Sequence, residues 1–203
     1  KISGEISVRK ANKNESLQLL NDQNIKLEGI ELIIADEQGP LALAGIMGGD
    51  FSATNTNTTE VFIESAYFDP THISGRARSF GLNTDSSHRF ERGVDFRKTP
   101  SALKRAAALI IEFCGGECSN ILDIESNLPK RELIKLRTKK VSDIMGVVLK
   151  ESDIKSVLDK LNLTYSQNND DFLITPPSFR FDLSIEEDLV EEVIRIYGYN
   201  NIP

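Results

Sequence analysis

Glu64–Asp95 reads ESAYFDPTHISGRARSFGLNTDSSHRFERGVD and carries the signals that decide the fold. Its first residues close an apolar run, Val61–Ala66, with strand character that Glu64 interrupts. A carboxylate there either faces solvent or is a buried acceptor waiting for a donor. Asp69-Pro70 then has the form of a helix start, a capping acid before a proline at the first helical position. Ile73, Ala77 and Phe80 recur at helical spacing, and Gly81 can end that helix. In the polar TDSSHR segment, Ser86 and Ser87 read as turn residues. His88 reads either as a base or as a side chain locked by loop hydrogen bonds.

Charge reverses locally around this stretch. From Arg76 to Arg105 eight Lys/Arg stand against three Asp/Glu, in a chain whose net charge is −7. Such a run is either a solvated, ion-paired face or a surface for a polyanion or phosphorylated partner. Arg76 and Arg78, two apart, do not share a helix face.

Upstream, Ile6–Arg9, Leu17–Leu20 and Ile25–Glu28 read as short strands, with a turn at Asn21-Asp22. Glu31–Ala35 and Leu41–Ile46 bracket DEQGP, whose Gly-Pro suits a tight reversal. LALAGIMGG is continuously apolar and ends in Gly45, Gly48 and Gly49, which let backbone approach backbone or ligand. Downstream, Thr99-Pro100 repeats the capping form before a broad apolar stripe, Leu103 to Cys114, closed by Gly115-Gly116. Strands with two helices suggest a helix-covered sheet, mixed or antiparallel because the strands are short and hairpin-like. The glycines form neither a phosphate-binding loop nor a dinucleotide fingerprint.

The polar segment DIESNLPKREL separates two periodic regions and marks a domain boundary, giving domains 1–122 and 123–203. Leu133–Arg137 and Phe172–Thr175 read as strands, Val141–Met145 and Asp153–Leu161 as helices. This is a small winged-helix-like α/β layout, so the whole is expected to be α+β. In the last helix Ser184 and Glu187 have the spacing of a capping box, and Ile185, Leu189, Val193 and Ile196 form the apolar stripe. Asp182, Asp188, Glu191 and Glu192 gather acids on its other side. They form either a solvated or partner-facing acidic surface or a site for a hard cation such as magnesium.

At 39% hydrophobic and 27% charged residues the composition is that of a folded soluble protein. No run is long enough to cross a bilayer. Cys114 and Cys118 lack both the redox spacing and a zinc set, and read as buried or half-buried thiols of a reducing cytoplasm. No nucleophile–histidine–acid set can be assembled around the two histidines, His72 and His88.

Four collinear stretches resemble the beta subunit family of bacterial phenylalanyl-tRNA synthetases: PLALAGIMGG, VFIESAYFDP, GRARSFGLNTDSSHRFERGVD and PPSFRFDLSIEEDLVEEVIRIYGYNNIP. The resemblance implies a B3/B4 tRNA-editing domain over 1–122 and a B5 domain over 123–203. It implies an α2β2 parent that joins phenylalanine to tRNA-Phe in the cytoplasm, with partners in the alpha subunit, a second beta subunit and the tRNA. ATP would be handled by the alpha subunit, and magnesium would be held by Asp182, Asp188, Glu191 and Glu192.

The implied editing reaction is hydrolysis of tyrosyl-tRNA-Phe. Glu64 matches the glutamate that recognises the tyrosine hydroxyl, Gly45 and Gly48 the glycine-rich wall, and Thr84 and Ser86 the lining loop. Ser86 stands where family members often carry alanine. The chain starts at Lys1, after the place of a GQP-x-HAFD-like segment, which predicts an incomplete pocket and weak or absent deacylation. The competing expectation is a non-catalytic RNA- or protein-interaction module.

Overall fold

The computed structural model describes residues 2–203. The chain divides into two compact units, residues 1–122 and 123–203, each with its own apolar core.

The first unit opens with six short strands: β1 (Ser7–Lys10), β2 (Ser16–Gln18), β3 (Asn24–Lys26), β4 (Leu32–Asp36), β5 (Gly39–Leu43) and β6 (Met47–Gly48). β1, β4, β5 and β6 form one sheet in that order and β2–β3 a separate hairpin, with every pairing antiparallel. Asp36 builds the β4–β5 reversal, its carboxylate accepting the amides of Gln38 and Gly39 at 2.8 and 3.2 Å. Ile33 and Leu43 face each other across the hairpin and are fully buried.

The run LALAGIMGG is therefore not one strand. It leaves β5 after Leu43, turns through Ala44–Ile46 with Gly45 at φ +67°, and returns as β6. Only a residue without Cβ takes that conformation without strain.

Residues 61–66, expected as a strand, form none, and 67–69 likewise join no ladder. Two-residue β6 is the last strand of its sheet, and Val61 and Phe62 stay exposed. The segment is instead fixed by its side chains. Ser65 Oγ donates to the Thr99 carbonyl at 2.9 Å, Tyr67 meets Phe96 edge-on at 5.8 Å, and Phe68 packs on Phe90 at 5.3 Å.

The helix expected from Asp69 to Phe80 is broken into α1 (Pro70–Ile73) and α2 (Arg76–Ser79), because Gly75 between them is left-handed at φ +75°. Asp69 does cap α1, accepting from the Thr71 amide at 2.9 Å. TDSSHR is helical rather than a loop: α3 spans Asp85–Phe90 behind a Thr84 cap. Thr84 Oγ1 accepts the Ser87 amide at 3.0 Å, and Ser87 Oγ receives the Thr84 amide at 3.2 Å. This reciprocal box is the local reason for the helix.

α4 (Thr99–Cys114) has the expected span, but its preceding cap position is Lys98 and Thr99 bonds back to the Phe96 carbonyl. None of its residues is buried. Leu103, Ala106 and Ala107 are half-covered, whereas Ile110, Ile111 and Phe113 lie open. Cys114 and Cys118 are exposed too, contrary to the expected burial, because α4 buries nothing at its end and no element follows until residue 134.

The second unit runs β7 (Ile134–Arg137), α5 (Thr138–Met145), α6 (Glu151–Lys160), β8 (Thr164–Asn168), β9 (Asp171–Thr175) and α7 (Glu186–Tyr197). Its antiparallel sheet has the order β7-β9-β8, and the helices close over a core that includes Leu136, Phe172, Ile174, Ile154 and Leu189. β8 escaped the sequence reading because TYSQN is polar and almost wholly exposed, held by its ladder to β9 rather than by burial. No described helix is long and apolar enough to cross a membrane.

Candidate functional site

A cleft of about 490 Å³ opens beside the Gly45 turn. The turn supplies Gly45, Ile46, Met47 and Gly48, the extended segment supplies Glu64, Ser65 and Ala66, and α3 supplies Ser86 and Phe90. With Ile34 of β4 and the end of β5, residues from four separate stretches of sequence thus meet around one cavity.

Glu64 makes no hydrogen bond or ion pair among the described residues. The residue as a whole is exposed, yet burial around its carboxyl pushes its pKa above the ordinary carboxylate range. A carboxylate short of solvent and of donors, placed on a cavity wall, is an acceptor for a hydroxyl or amine that enters.

The glycine turn in the lining is tightly packed. A Cβ at Gly45 would lie 3.0 Å from the Phe90 ring and 3.2 Å from the Phe68 ring, and one at Gly48 would lie 3.1 Å from Leu20. Two hydroxyls of α3 hold this turn in place. Thr84 Oγ1 donates to the Ile46 carbonyl and Ser86 Oγ to the Gly45 carbonyl, each at 2.9 Å. Of the expected residues, Glu64, Gly45, Gly48 and Ser86 line the cleft, whereas Thr84 braces the turn from outside its wall.

Ser65, Met47 and Phe90 escaped the sequence reading. Phe90 was within reach, because it stands four residues after Ser86 and shares its helix face once residues 85–90 are read as helical. His88 points elsewhere: it is exposed, and its Nδ1 lies 3.0 Å from Arg92. Ser86, already donating to a carbonyl, has no base beside it.

Most acids of α7 and of the loop before it are engaged within the chain. Asp188 Oδ2 accepts the amides of Ser184 and Ile185 at 2.7 and 2.9 Å, so Asp188, not Glu187, completes the cap of α7. Asp182 grips Arg180 at 2.6 and 2.9 Å and is held below the ordinary range by that contact. Glu192 is buried, which pushes its pKa up, but its bonds to Arg195 and Arg180 outweigh the burial and hold it low. Glu191 alone is free and exposed.

Magnesium is held octahedrally by one or two carboxylates together with waters or phosphates. Asp182, Asp188 and Glu192 are committed to arginines and amides, and among the described residues no group of three or more His, Cys, Asp or Glu is placed to hold a metal ion. In this structure Asp182 and Glu192 belong to an arginine–carboxylate network and Asp188 to a helix cap.

Residues 1–115 match the family model of the B3/4 domain. The chain belongs to that family. Residues 134–199 match the tRNA synthetase B5 domain, so the B3/4 region is followed by a B5 domain. Over its full length the chain is 45% identical to the phenylalanine–tRNA ligase beta subunit of Chromobacterium violaceum and 47% identical to that of Pasteurella multocida. It is 48% identical to the beta subunit of Psychrobacter arcticus. It spans about a quarter of these relatives, 26% of each. Among solved structures it is similar to an N-terminal fragment of the Pyrococcus horikoshii phenylalanyl-tRNA synthetase beta subunit. That likeness has 17% identity and a TM-score of 0.46, over 98% of this chain and 58% of that one.

Proposed function

We propose that the cleft of this B3/4 domain is an editing site that takes the tyrosyl end of mischarged tRNA-Phe, and that the chain acts as part of a cytoplasmic phenylalanine–tRNA ligase beta subunit. Joining of phenylalanine to tRNA with ATP then belongs to an alpha subunit in an α2β2 assembly. The observation that carries the reading is Glu64, an unpartnered, partly desolvated carboxylate lining a cleft that the Gly45–Gly48 turn also lines.

The chemistry follows from what that lining can recognise. A synthetic pocket built for phenylalanine rejects an added hydroxyl poorly, whereas a second site can require it. A phenolic O–H donating to Glu64 makes a charge-assisted bond, while phenylalanine in the same place leaves the carboxylate desolvated and unpaired. Glu64 is then a specificity residue. With Ser86 committed to Gly45 and His88 engaged with Arg92, no side chain here is set up as a nucleophile. Water supplies the oxygen that bonds to the ester carbonyl carbon. The bond to the ribose oxygen breaks, a proton from the water passes to that oxygen, and free tyrosine and an uncharged tRNA end result.

Binding of stable amide-linked tyrosyl- and phenylalanyl-adenosine tests this without requiring turnover. The chain should prefer the tyrosyl compound, and Glu64→Gln should reduce that preference by about 10- to 100-fold, the loss of one hydrogen bond to a charged acceptor. Equal preference in both proteins removes Glu64 from recognition.

A further inference from the structure

The cleft accounts for the end of a substrate, and the charge reversal around it is left unused. Of the eight cations between Arg76 and Arg105, only Arg92 has an ion-pair partner among the described residues, Glu91 at 3.3 Å. Arg78, Arg89, Arg97, Lys98, Lys104 and Arg105 are exposed and form no ion pair or side-chain hydrogen bond. A solvated, ion-paired face would show the opposite bookkeeping.

Three of these cations sit where the cleft is built. Arg89 is on α3, between the positions that give Ser86 and Phe90 to the wall. Arg97 and Lys98 immediately precede Thr99, whose carbonyl receives the hydroxyl of the cleft residue Ser65 at 2.9 Å. The same turn is anchored by Phe96 against Tyr67, three residues beyond Glu64. An element that lines the cleft and a turn that anchors its lining segment therefore both carry unpaired positive charge. No acid stands in the first turn of α4 to offset it, and Lys104 and Arg105 continue it along that helix.

From this juxtaposition we infer that Arg89, Arg97 and Lys98 form a phosphate-binding rim that seats a polynucleotide across the mouth of the cleft. The inference rests on the reading of the cleft as the site of an RNA's acylated end, and adds the surface that holds the strand leading into it. The rim reads charge and not sequence, because point cations without a fixed fork of partners position a backbone. A chain of net charge −7 would otherwise repel RNA, so the partner should meet the protein on this face first.

Fluorescence anisotropy of a labelled acceptor-stem hairpin over a potassium chloride series tests the rim. Three phosphate contacts contribute a slope of about −2.7 to log K against log salt, at roughly −0.9 per neutralised phosphate. The triple variant Arg89→Gln, Arg97→Gln, Lys98→Gln should lose that much slope. Its disadvantage against the parent should then shrink about 40-fold between 50 and 200 mM salt. A variant neutralising Lys155 and Lys160 of α6 should match the parent, and circular dichroism confirms that each variant folds.

An unchanged slope in the triple variant, or equal loss in the α6 control, overturns the rim. Binding of amide-linked tyrosyl-adenosine, which has no phosphate, separates the two readings. If that compound binds while the slope is unchanged, the rim fails alone. If it does not bind while the slope changes, the cleft reading fails and the rim stands. Slope lost instead on adding an acidic peptide in place of RNA would assign the face to a protein and sink the proposal.

Discussion

Glu64 carries opposite consequences for stability and for recognition. Its folded pKa lies above the ordinary glutamate value of 4.5, so the folded state holds the proton more tightly than the unfolded chain does. Its contribution to stability is therefore most favourable below 4.5 and falls as pH rises through the folded pKa. At neutral pH the carboxylate is a cost. Glu64→Gln should accordingly melt at a higher temperature than the parent at pH 7, and the gain should vanish on acidification below 4.5. Thermal melts of both proteins across that range check the sign; a variant less stable at pH 7 would show that Glu64 has a stabilising partner. Giving up fold stability at a group proposed for recognition is a familiar trade.

Elements differ in how their ends are secured, and α7 is the clearest case. Arg137 of β7 donates its amide and guanidinium to Glu186 in the first turn, and Lys140 approaches the same carboxylate. The Arg137 contact, chiefly, holds Glu186 down to about 2. A depressed carboxylate stabilises the fold above its unfolded pKa and loses that contribution as pH falls through the window from 4.5 to 2. Glu186→Gln should therefore lower the stability of the second unit at pH 7 and flatten its acid limb in that window, in urea titrations followed by Tyr165 and Tyr197. An acid limb of unchanged steepness would place the proton uptake on other carboxylates.

The sequence made this unit legible where burial and periodicity agree. β7, α5, α6, β9 and α7 all lie within a few residues of where apolar spacing put them. Reading failed where the deciding contact was non-local or lacked an apolar pattern. β8 is polar, the capping acid of α7 is Asp188 rather than Glu187, and Asp182 and Glu192 are bridged by Arg180 of the preceding loop. In the first unit, left-handed Gly75 divided an otherwise periodic helix, a choice that spacing does not encode. The cleft was legible residue by residue, since Glu64, Gly45, Gly48 and Ser86 do converge. That Thr84 is a brace depends on a bond to Ile46, distant in sequence, and no local pattern reports it.

At the scale of the molecule, two cores are joined by backbone that has little to hold it. Residues 115–133 form no helix or strand, and 116–127 are exposed throughout. The units' cores draw on separate residues, Leu19, Leu27, Ile33 and Leu43 in one, Leu136, Phe172 and Ile174 in the other. Glutamyl endopeptidase should therefore cut at Glu117 or Glu125, and the product containing residues 126–203 should keep a dispersed amide NMR spectrum. A collapsed spectrum for that product would show that its core depends on the first unit.

The turn at Gly45 also constrains how such a cleft could change over generations. Its backbone is left-handed and two rings stand at contact distance, so nearly every substitution there carries strain and a clash together. That wall is closed to gradual exploration. Heritable variation in what the cleft accepts is channelled to positions whose side chains border it without such confinement, Met47, Ala66 and Ser86. A lineage can resize the cleft from those three sides, while the glycine turn keeps its own wall fixed.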